Sequence, residues 1–560
     1  MHPPTWSSLF SAIAFANLST SQYTAPSYAN FSGPDGQLVD LGYLQVQGTR
    51  LTSSTVPINA WLGIRYGAAP TGDRRFKLPV SIETLDSGGN SIFDATTFGP
   101  ICYQGWPGWS PESPEAKAFQ AASNHFGNRQ ESEDCLLLDI YAPGEPVAES
   151  LPVLVIIHGG GYVAGGSTTI PSPGFMAAAP GQFIVVNIQY RLSGFGFLGG
   201  AGNETLNVGL HDQRLALEWV QRHIASFGGD PNQVTISGGS AGGGSVFHQL
   251  IWNGGEEHPP YRAAIAEYPW IPSILSPSQL EQQYQEVVSA SNCSDIFCLQ
   301  DLSADDYNRV QNKVLASANT LYGMFYFSPA IDGRYIRDFP TREAEAGHFA
   351  KVPILTTRDG NEGFAFTPQD IITEAKYQDR VHSLFNGGAN FFGRLQDYYP
   401  PEAVGPFAYK GTQQRAEFVT GDAFIQCPSY RLASSATEAF SLADRHGAQP
   451  VYKFIYGYPT YDTAYHGAYT ALIFPTQAIS ANDTSVGAEI GRKLQHYYSS
   501  FIIHGDPNIG LSSSDIIKWP EYGSSSEILY INSSTPIQMK DIDADGRCDF
   551  LLSRISVTAN

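Results

Sequence analysis

Residues Val234-Thr-Ile-Ser237 read as a short β-strand, and they run without a spacer through Gly238-Gly239-Ser240-Ala241-Gly242 into Ser245-Val-Phe-His-Gln-Leu-Ile251, which reads as a helix. A chain that passes from strand to helix in so few residues must turn sharply. Side chains flanking such a turn would collide, so glycine on both sides of the serine is what the geometry demands. The same turn exposes the Ser240 hydroxyl and aims backbone N–H groups from the helix start at an oxyanion beside it. Ser is also a good N-cap, so the segment by itself fits equally a glycine-rich loop in which Ser240 only caps the next helix.

The surroundings extend the pattern. Pro152-Val-Leu-Val-Ile-Ile157 runs into His158-Gly159-Gly160-Gly161, and Phe183-Ile-Val-Val-Asn-Ile-Gln-Tyr190 is a second apolar run. Continuous rather than alternating apolarity suits strands covered on both faces. Between the second run and Val234, residues Leu215, Trp219, Val220, Ile224 and Phe227 recur at helical spacing, which predicts one amphipathic helix ending at Gly228-Gly229. Strand, helix, strand predicts a βαβ unit and an α/β fold with a mostly parallel sheet. Val352-Pro-Ile-Leu355 and Pro450-Val-Tyr-Lys-Phe-Ile-Tyr456 read as two more strands, separated by long insertions. No internal repeat, low-complexity segment or interdomain linker stands out.

Composition sets outer limits. The chain has 560 residues, with 32 Lys and Arg against 53 Asp and Glu, a formal charge of −21. Such a balance offers no basic surplus to neutralise phosphates and excludes a nucleic-acid binder. A hydrophobic fraction of 42% is globular. At about 150 residues per domain the length allows three or four domains, but the pattern favours one domain with insertions. No run of 18 or more apolar residues predicts an integral membrane segment. The cysteines form no CxxC or Cys/His cluster, so no metal is expected. The glycine run at 159–161 lacks the G-x-G-x-x-G and acidic pattern of a dinucleotide site, so no cofactor is expected either.

If Ser240 is a nucleophile it needs a base and an orienting carboxylate, which in α/β-hydrolases follow in the order Ser, acid, His. After the Val352 strand comes Thr356-Thr-Arg-Asp-Gly-Asn-Glu362-Gly363, in which Asp359 and Glu362 compete for the acid role and either also fits a solvated loop charge. Of the downstream histidines, His382 and His496 sit in helical patterns, His446 precedes its strand, and His504 reads as a turn after a helix. His466 follows the Val451–Tyr456 strand across a loop, at the expected carboxyl edge of the sheet, and is the favoured base. The loop His158-Gly159-Gly160-Gly161 suits an oxyanion hole, with His158 in a structural role.

With these segments in place, the sequence resembles the type-B carboxylesterase/lipase family of α/β-hydrolases, which includes cholinesterases and fungal secreted lipases. The similarity covers nearly all of the chain after residue 35. It is carried by Glu133-Asp-Cys135-Leu-Leu-Leu-Asp139, Tyr190-Arg-Leu-Ser-Gly-Phe-Gly-Phe-Leu198, Asn207-Val-Gly-Leu-His-Asp-Gln213, Phe227-Gly-Gly-Asp-Pro231 and the Ser240 motif. The resemblance implies Glu362 as the acid, demoting Asp359, His466 as the base, and Gly160, Gly161 and Ala241 as oxyanion donors. It also implies disulfides Cys102–Cys135 and Cys427–Cys548, together with Cys293–Cys298, which spacing alone already suggests. Two positions depart from the family. Gly239 stands where Glu is common before the nucleophile, and Tyr469 where a carboxylate is common after His-Gly. Both predict a loss of charge around the site.

The expected function is hydrolysis of small-molecule carboxylic esters through an acyl-enzyme. Alternatives are an interfacial lipase, with residues 103–134 as a lid carrying Trp106, Pro107, Trp109 and Phe119, and an esterase or lactonase that tailors a natural product. A non-catalytic adhesion module ranks last, because all three triad members are present. Residues 1–21 resemble a signal peptide without a basic start, the first Lys or Arg being Arg50, which leaves residues 22–560 as the single domain and predicts secretion, the alternative being a cytosolic leader. Sequons at Asn17, Asn30, Asn203, Asn292, Asn482 and Asn532 are expected glycosylation sites, that at Asn17 lying within the leader. No sequence feature sets the oligomeric state.

Overall fold

The computed structural model describes residues 31–32, 37–51, 56–84, 91–112, 130–200, 205–317, 320–442, 449–510 and 516–558. The leader, Asn30, Asn203, His446 and Phe119 lie outside them. A twelve-stranded sheet dominates. Its strands are β1 (Phe31–Ser32), β2 (Thr49–Leu51), β3 (Ile58–Arg65), β4 (Leu137–Pro143), β5 (Leu151–Ile157), β6 (Ile184–Ile188), β7 (Gly229–Gly239), β8 (Ala263–Glu267), β9 (Ile354–Asp359), β10 (Val451–Tyr456), β11 (Glu527–Ile531) and β12 (Ile537–Lys540). They lie in the order β1-β2-β3-β4-β6-β5-β7-β8-β9-β10-β11-β12. Pairing is parallel from β6 through β11 and antiparallel at both ends. A separate three-stranded sheet joins Leu38–Asp40, Gln45–Gln47 and Ile92–Asp94.

The central strands are the apolar runs of the sequence, and every residue of β5, β6 and β10 is buried. Flanking helices include α1 (Val208–His223), α2 (Ala241–Ile251), α3 (Cys427–Leu442), α4 (Val486–His504) and α5 (Arg547–Leu552). Helix α2 packs on β7 and β8, α3 on β9 and β10, and α4 on β5 and β7. The fold is an α/β-hydrolase with a mixed sheet.

Four elements differ from expectation for local reasons. The amphipathic stretch after Val208 is α-helical only to His223, then tightens into a 3₁₀ turn at Ile224–Phe227 that Gly228 closes with φ 83°. Strand β7 starts five residues earlier than Val234, with a register shift against β5 where the Asp230 side chain takes the Asn232 N–H at 2.9 Å. Strand β9 runs on through Thr356, Thr357, Arg358 and Asp359, all buried. Buried partners make that polar run possible, among them Ala266 O for the Thr356 hydroxyl at 3.0 Å and Asp543 for Arg358 at 2.6 Å. Asp359 is therefore the end of a strand and not a solvated loop charge. His504 is the last residue of α4 rather than part of the turn, which Gly505 makes with φ 72°.

Candidate active site

Ser240 occupies the single residue between β7 and α2, with φ 59° and ψ −126°. A non-glycine residue holds such a backbone only where its surroundings enforce it. Here the Ser240 N–H donates to Glu267 O at 3.1 Å, and its carbonyl accepts from Gly244 N at 2.8 Å and Trp270 N at 3.0 Å. The glycine requirement is one of space: a Cβ on Gly242 would lie 2.1 Å from the Ile157 carbonyl oxygen.

The loop after β5 abuts this turn, since a Cβ on Gly159 would lie 3.1 Å from that of Ser240. Gly160 and Gly161 have φ of 107° and 64°, conformations natural to glycine. Among the described residues no acceptor is paired with either N–H. Ala241 opens α2, where backbone donors have no partner within the helix. His158, at the loop's start, is buried, stacks on Tyr190 at 4.4 Å and turns its Nδ1 to Gly159 O at 2.8 Å. Burial pushes its pKa down to about 4, which keeps it neutral.

On the loops after β9 and β10 the structure brings Glu362 and His466 together. His466 Nδ1 is hydrogen-bonded to Glu362 Oε2 at 2.5 Å, and the two side chains are 5% and 0% exposed. The other Glu362 oxygen accepts the Asp359 N–H at 2.5 Å, while Asp359 Oδ2 accepts the Gly467 N–H at 2.8 Å. The two acids left in competition by the sequence thus divide the work. Glu362 holds the ring and Asp359 holds the backbone beyond it. Tyr268 and Phe366 pack edge-on against the imidazole at 4.9 and 5.0 Å and set its plane. His382 lies exposed on the helix Glu374–Leu384, stacked on Phe392, and His496 and His504 belong to α4.

Two residues that sequence reasoning missed complete the surroundings. A Cβ on Gly239 would lie 2.2 Å from the Tyr268 hydroxyl, so the ring of Tyr268 fills the space that a side chain at Gly239 would need. A carboxylate nevertheless lies nearby in Glu267, buried at the end of β8 with Oε1 accepting from the Ser237 hydroxyl at 2.9 Å. The clue in the sequence was the run Ala263-Ala-Ile-Ala-Glu267, too alanine-rich to stand out as a strand. Beside the loop after β5, Trp270 contacts Phe366, Phe424 and Phe325 at 4.6, 5.5 and 5.6 Å, and Phe325 lies against Gly161. Trp109, in the loop that begins at Cys102, joins this wall through Phe325 at 5.5 Å and donates its indole N–H to Met324 O at 2.7 Å.

Three disulfides are formed, Cys102–Cys135, Cys293–Cys298 and Cys427–Cys548. Among the described residues one group has the spacing of metal ligands, Asp422 with Cys427 and Cys548, and its two sulfurs are bonded to each other.

Residues 35–551 match the model of the carboxylesterase family. The chain belongs to that family. Carboxylesterase patB of Penicillium expansum is 30% identical to this esterase over 525 residues, covering 84% of the chain and 88% of the relative. A mouse (Mus musculus) cholinesterase is 28% identical over 519 residues, covering 88% and 82%. The crystal structure of Aspergillus niger EstA superposes with a TM-score of 0.77 at 25% identity, covering 93% of this chain and 98% of that one. The protein is a carboxylesterase acting on small-molecule esters, and no described helix is long and apolar enough to cross a membrane.

Proposed function

We propose that the esterase works by two-step acyl transfer, with Ser240 as nucleophile, His466 as general base and Glu362 as the acid that orients it. The observation that carries this reading is the Glu362–His466 bond of 2.5 Å on the loops that follow β9 and β10, strands parallel to β7, whose end presents Ser240, and separated from it in the sheet by β8. His466 takes the hydroxyl proton as Ser240 attacks the ester carbonyl. The N–H groups of Gly160, Gly161 and Ala241 hold the tetrahedral oxyanion, His466 returns the proton to the departing alcohol, and water then releases the acid. Ser240→Ala should lower kcat on a soluble short-chain ester by roughly three orders of magnitude or more while the protein stays folded. A fluorophosphonate should label wild type at Ser240, as peptide mapping would read. Near-wild-type turnover in the variant would sink the assignment.

The aromatic wall beside Gly161 argues for compact acyl groups and against the interfacial lipase. Its partners on the loop from Cys102 are tied down, with Gly105 N donating to Val163 O at 2.7 Å and Trp106 N to Asn312 at 3.1 Å. Residues 113–129 of the candidate lid, Phe119 among them, lie outside the described residues. On this reading, activity on short-chain esters exceeds that on a triacylglycerol emulsion, measured side by side. Residues 22–560 act as one domain behind a leader at 1–21. Exposed sequons at Asn292, Asn482 and Asn532 and the three disulfides fit a secreted glycoprotein.

A further inference from the structure

Glu267 ends the strand beside the Ser240 turn, and the acyl-transfer steps make no use of its carboxylate. Glu267 pairs in register with Gly239, and its carbonyl takes the Ser240 N–H at 3.1 Å. Its side chain lies at the junction of four elements. Oε1 accepts from Ser237 of β7 at 2.9 Å, and the carboxylate faces the hydroxyls of Tyr469, on the His466 loop, and Tyr498, on α4. Tyr469 stands three residues beyond His466 and bonds the hydroxyl of Thr357 on β9. Tyr268, the next residue after Glu267, lays its ring against both His466 and Tyr469, at 4.9 and 5.5 Å. Glu267 therefore bonds the serine through its backbone, while its carboxylate faces Tyr469 of the histidine loop.

We propose that Glu267 is a positioning residue of the esterase reaction, holding Ser240 and the His466 loop in one frame and, when ionised, stabilising the imidazolium that forms on His466. The inference rests on the acyl-transfer reading above. The titratable groups that face this carboxylate are Tyr268, Tyr469 and Tyr498, with Asp359 and Glu362 beyond Tyr268, and no basic side chain is among those that set its charge. Burial is the leading influence and pushes Glu267 up to about 7, against the hydrogen bond from Ser237 and the nearby hydroxyls of Tyr469 and Tyr498. Its negative charge is thus absent on the acid side of neutrality and present on the alkaline side. A charge so placed lowers the energy of a transition state in which His466 becomes a cation, and leaves substrate binding alone.

The test is the pH dependence of Glu267→Gln against wild type on one soluble ester. The wild-type to variant ratio of kcat should be near one at about pH 5.5, rise with a midpoint near 7 and reach about tenfold at about pH 8.5, with KM unchanged. A ratio that does not vary with pH, or that appears in KM alone, overturns the proposal. Fluorophosphonate labelling of Ser240 should remain stoichiometric in Glu267→Gln, whereas failure of the acyl-transfer reading would show as an active Ser240→Ala enzyme. Should the glutamine variant not fold, Tyr498→Phe removes one hydroxyl that favours the ionised form and leaves the β7–β8 backbone intact. It should move the alkaline-side rise in kcat to higher pH, and an unmoved profile overturns the proposal.

Discussion

Glu267 also leaves a mark on stability, with the opposite sign to its mark on rate. In the unfolded chain a glutamate ionises near 4.5, whereas in the folded esterase burial holds the proton on to about 7. Between those values the folded state binds the extra proton, so Glu267 weakens the fold progressively as pH rises from about 4.5 to 7 and fully above that. The shift corresponds to about 3 kcal/mol at most. Glu267→Gln avoids the buried charge. It should therefore match wild type in urea midpoint near pH 4.5 and exceed it at about pH 8, where it is also the slower enzyme. A variant less stable than wild type at alkaline pH would show that the carboxylate is a structural bond and not a stored charge. Ser240 carries strain of the same kind in its backbone, φ 59° against a β-branched-free glycine turn, and three hydrogen bonds hold it there.

At the scale of elements, what was legible followed from how one-sided each segment's chemistry is. Strands β5, β6 and β10 are β-branched and aromatic, buried along their length, and stand out as apolar runs. Strand β8 is alanine at three of its five positions, and β9 is polar at four of its six, so its length was hidden until Asp543 and Ala266 supplied the partners that let Arg358 and Thr356 stay in the sheet. Ser240 and His466 were readable from their places after strands. Glu362 could not be separated from Asp359 by chemistry alone, because Asp359 ends β9 and Glu362 follows it three residues later, bonded to its N–H, and the two differ in which part of the His466 segment each meets. Helix α3 and the short helix α5 are far apart in sequence and joined by Cys427–Cys548, a separation of 121 residues. Closing a loop of that length restricts the unfolded chain by about 4–5 kcal/mol in the chain-entropy model. The double variant Cys427→Ala, Cys548→Ala should lose much of that, seen as a lower urea midpoint under oxidising conditions. An unchanged midpoint would mean that the tail is held by other contacts alone.

Those other contacts connect the end of the chain to the strands that lead to Glu362 and His466. Arg358, the residue before Asp359 on β9, bonds Asp543 at 2.8 and 2.6 Å and also donates to the Asp359 carbonyl at 2.9 Å. Lys453, in the middle of β10, reaches Asp541 at 2.6 Å and Asp543 at 2.7 Å, and Arg547 of α5 reaches Asp422 at 3.1 Å and Asp543 at 3.3 Å. Three cations and three carboxylates balance in a buried cluster that clamps the strands leading to Glu362 and His466. Burial alone would push the Asp543 carboxyl up, but Arg358 and then Lys453 outweigh it and hold it well below the usual carboxylate range. Its stabilisation is therefore complete above the unfolded value of 3.8 and is lost only as pH falls below that, through the lower folded value. Removing the charge with Asp543→Asn strands Arg358 and Lys453 without their shared counter-ion, a change that costs about 3–5 kcal/mol in buried pairs. The urea midpoint of this variant should fall well below that of wild type at pH 7, with the gap narrowing below about pH 4. Equal midpoints at neutral pH would show that the cluster relaxes around the missing charge and that the C-terminal segment is not what braces the two loops.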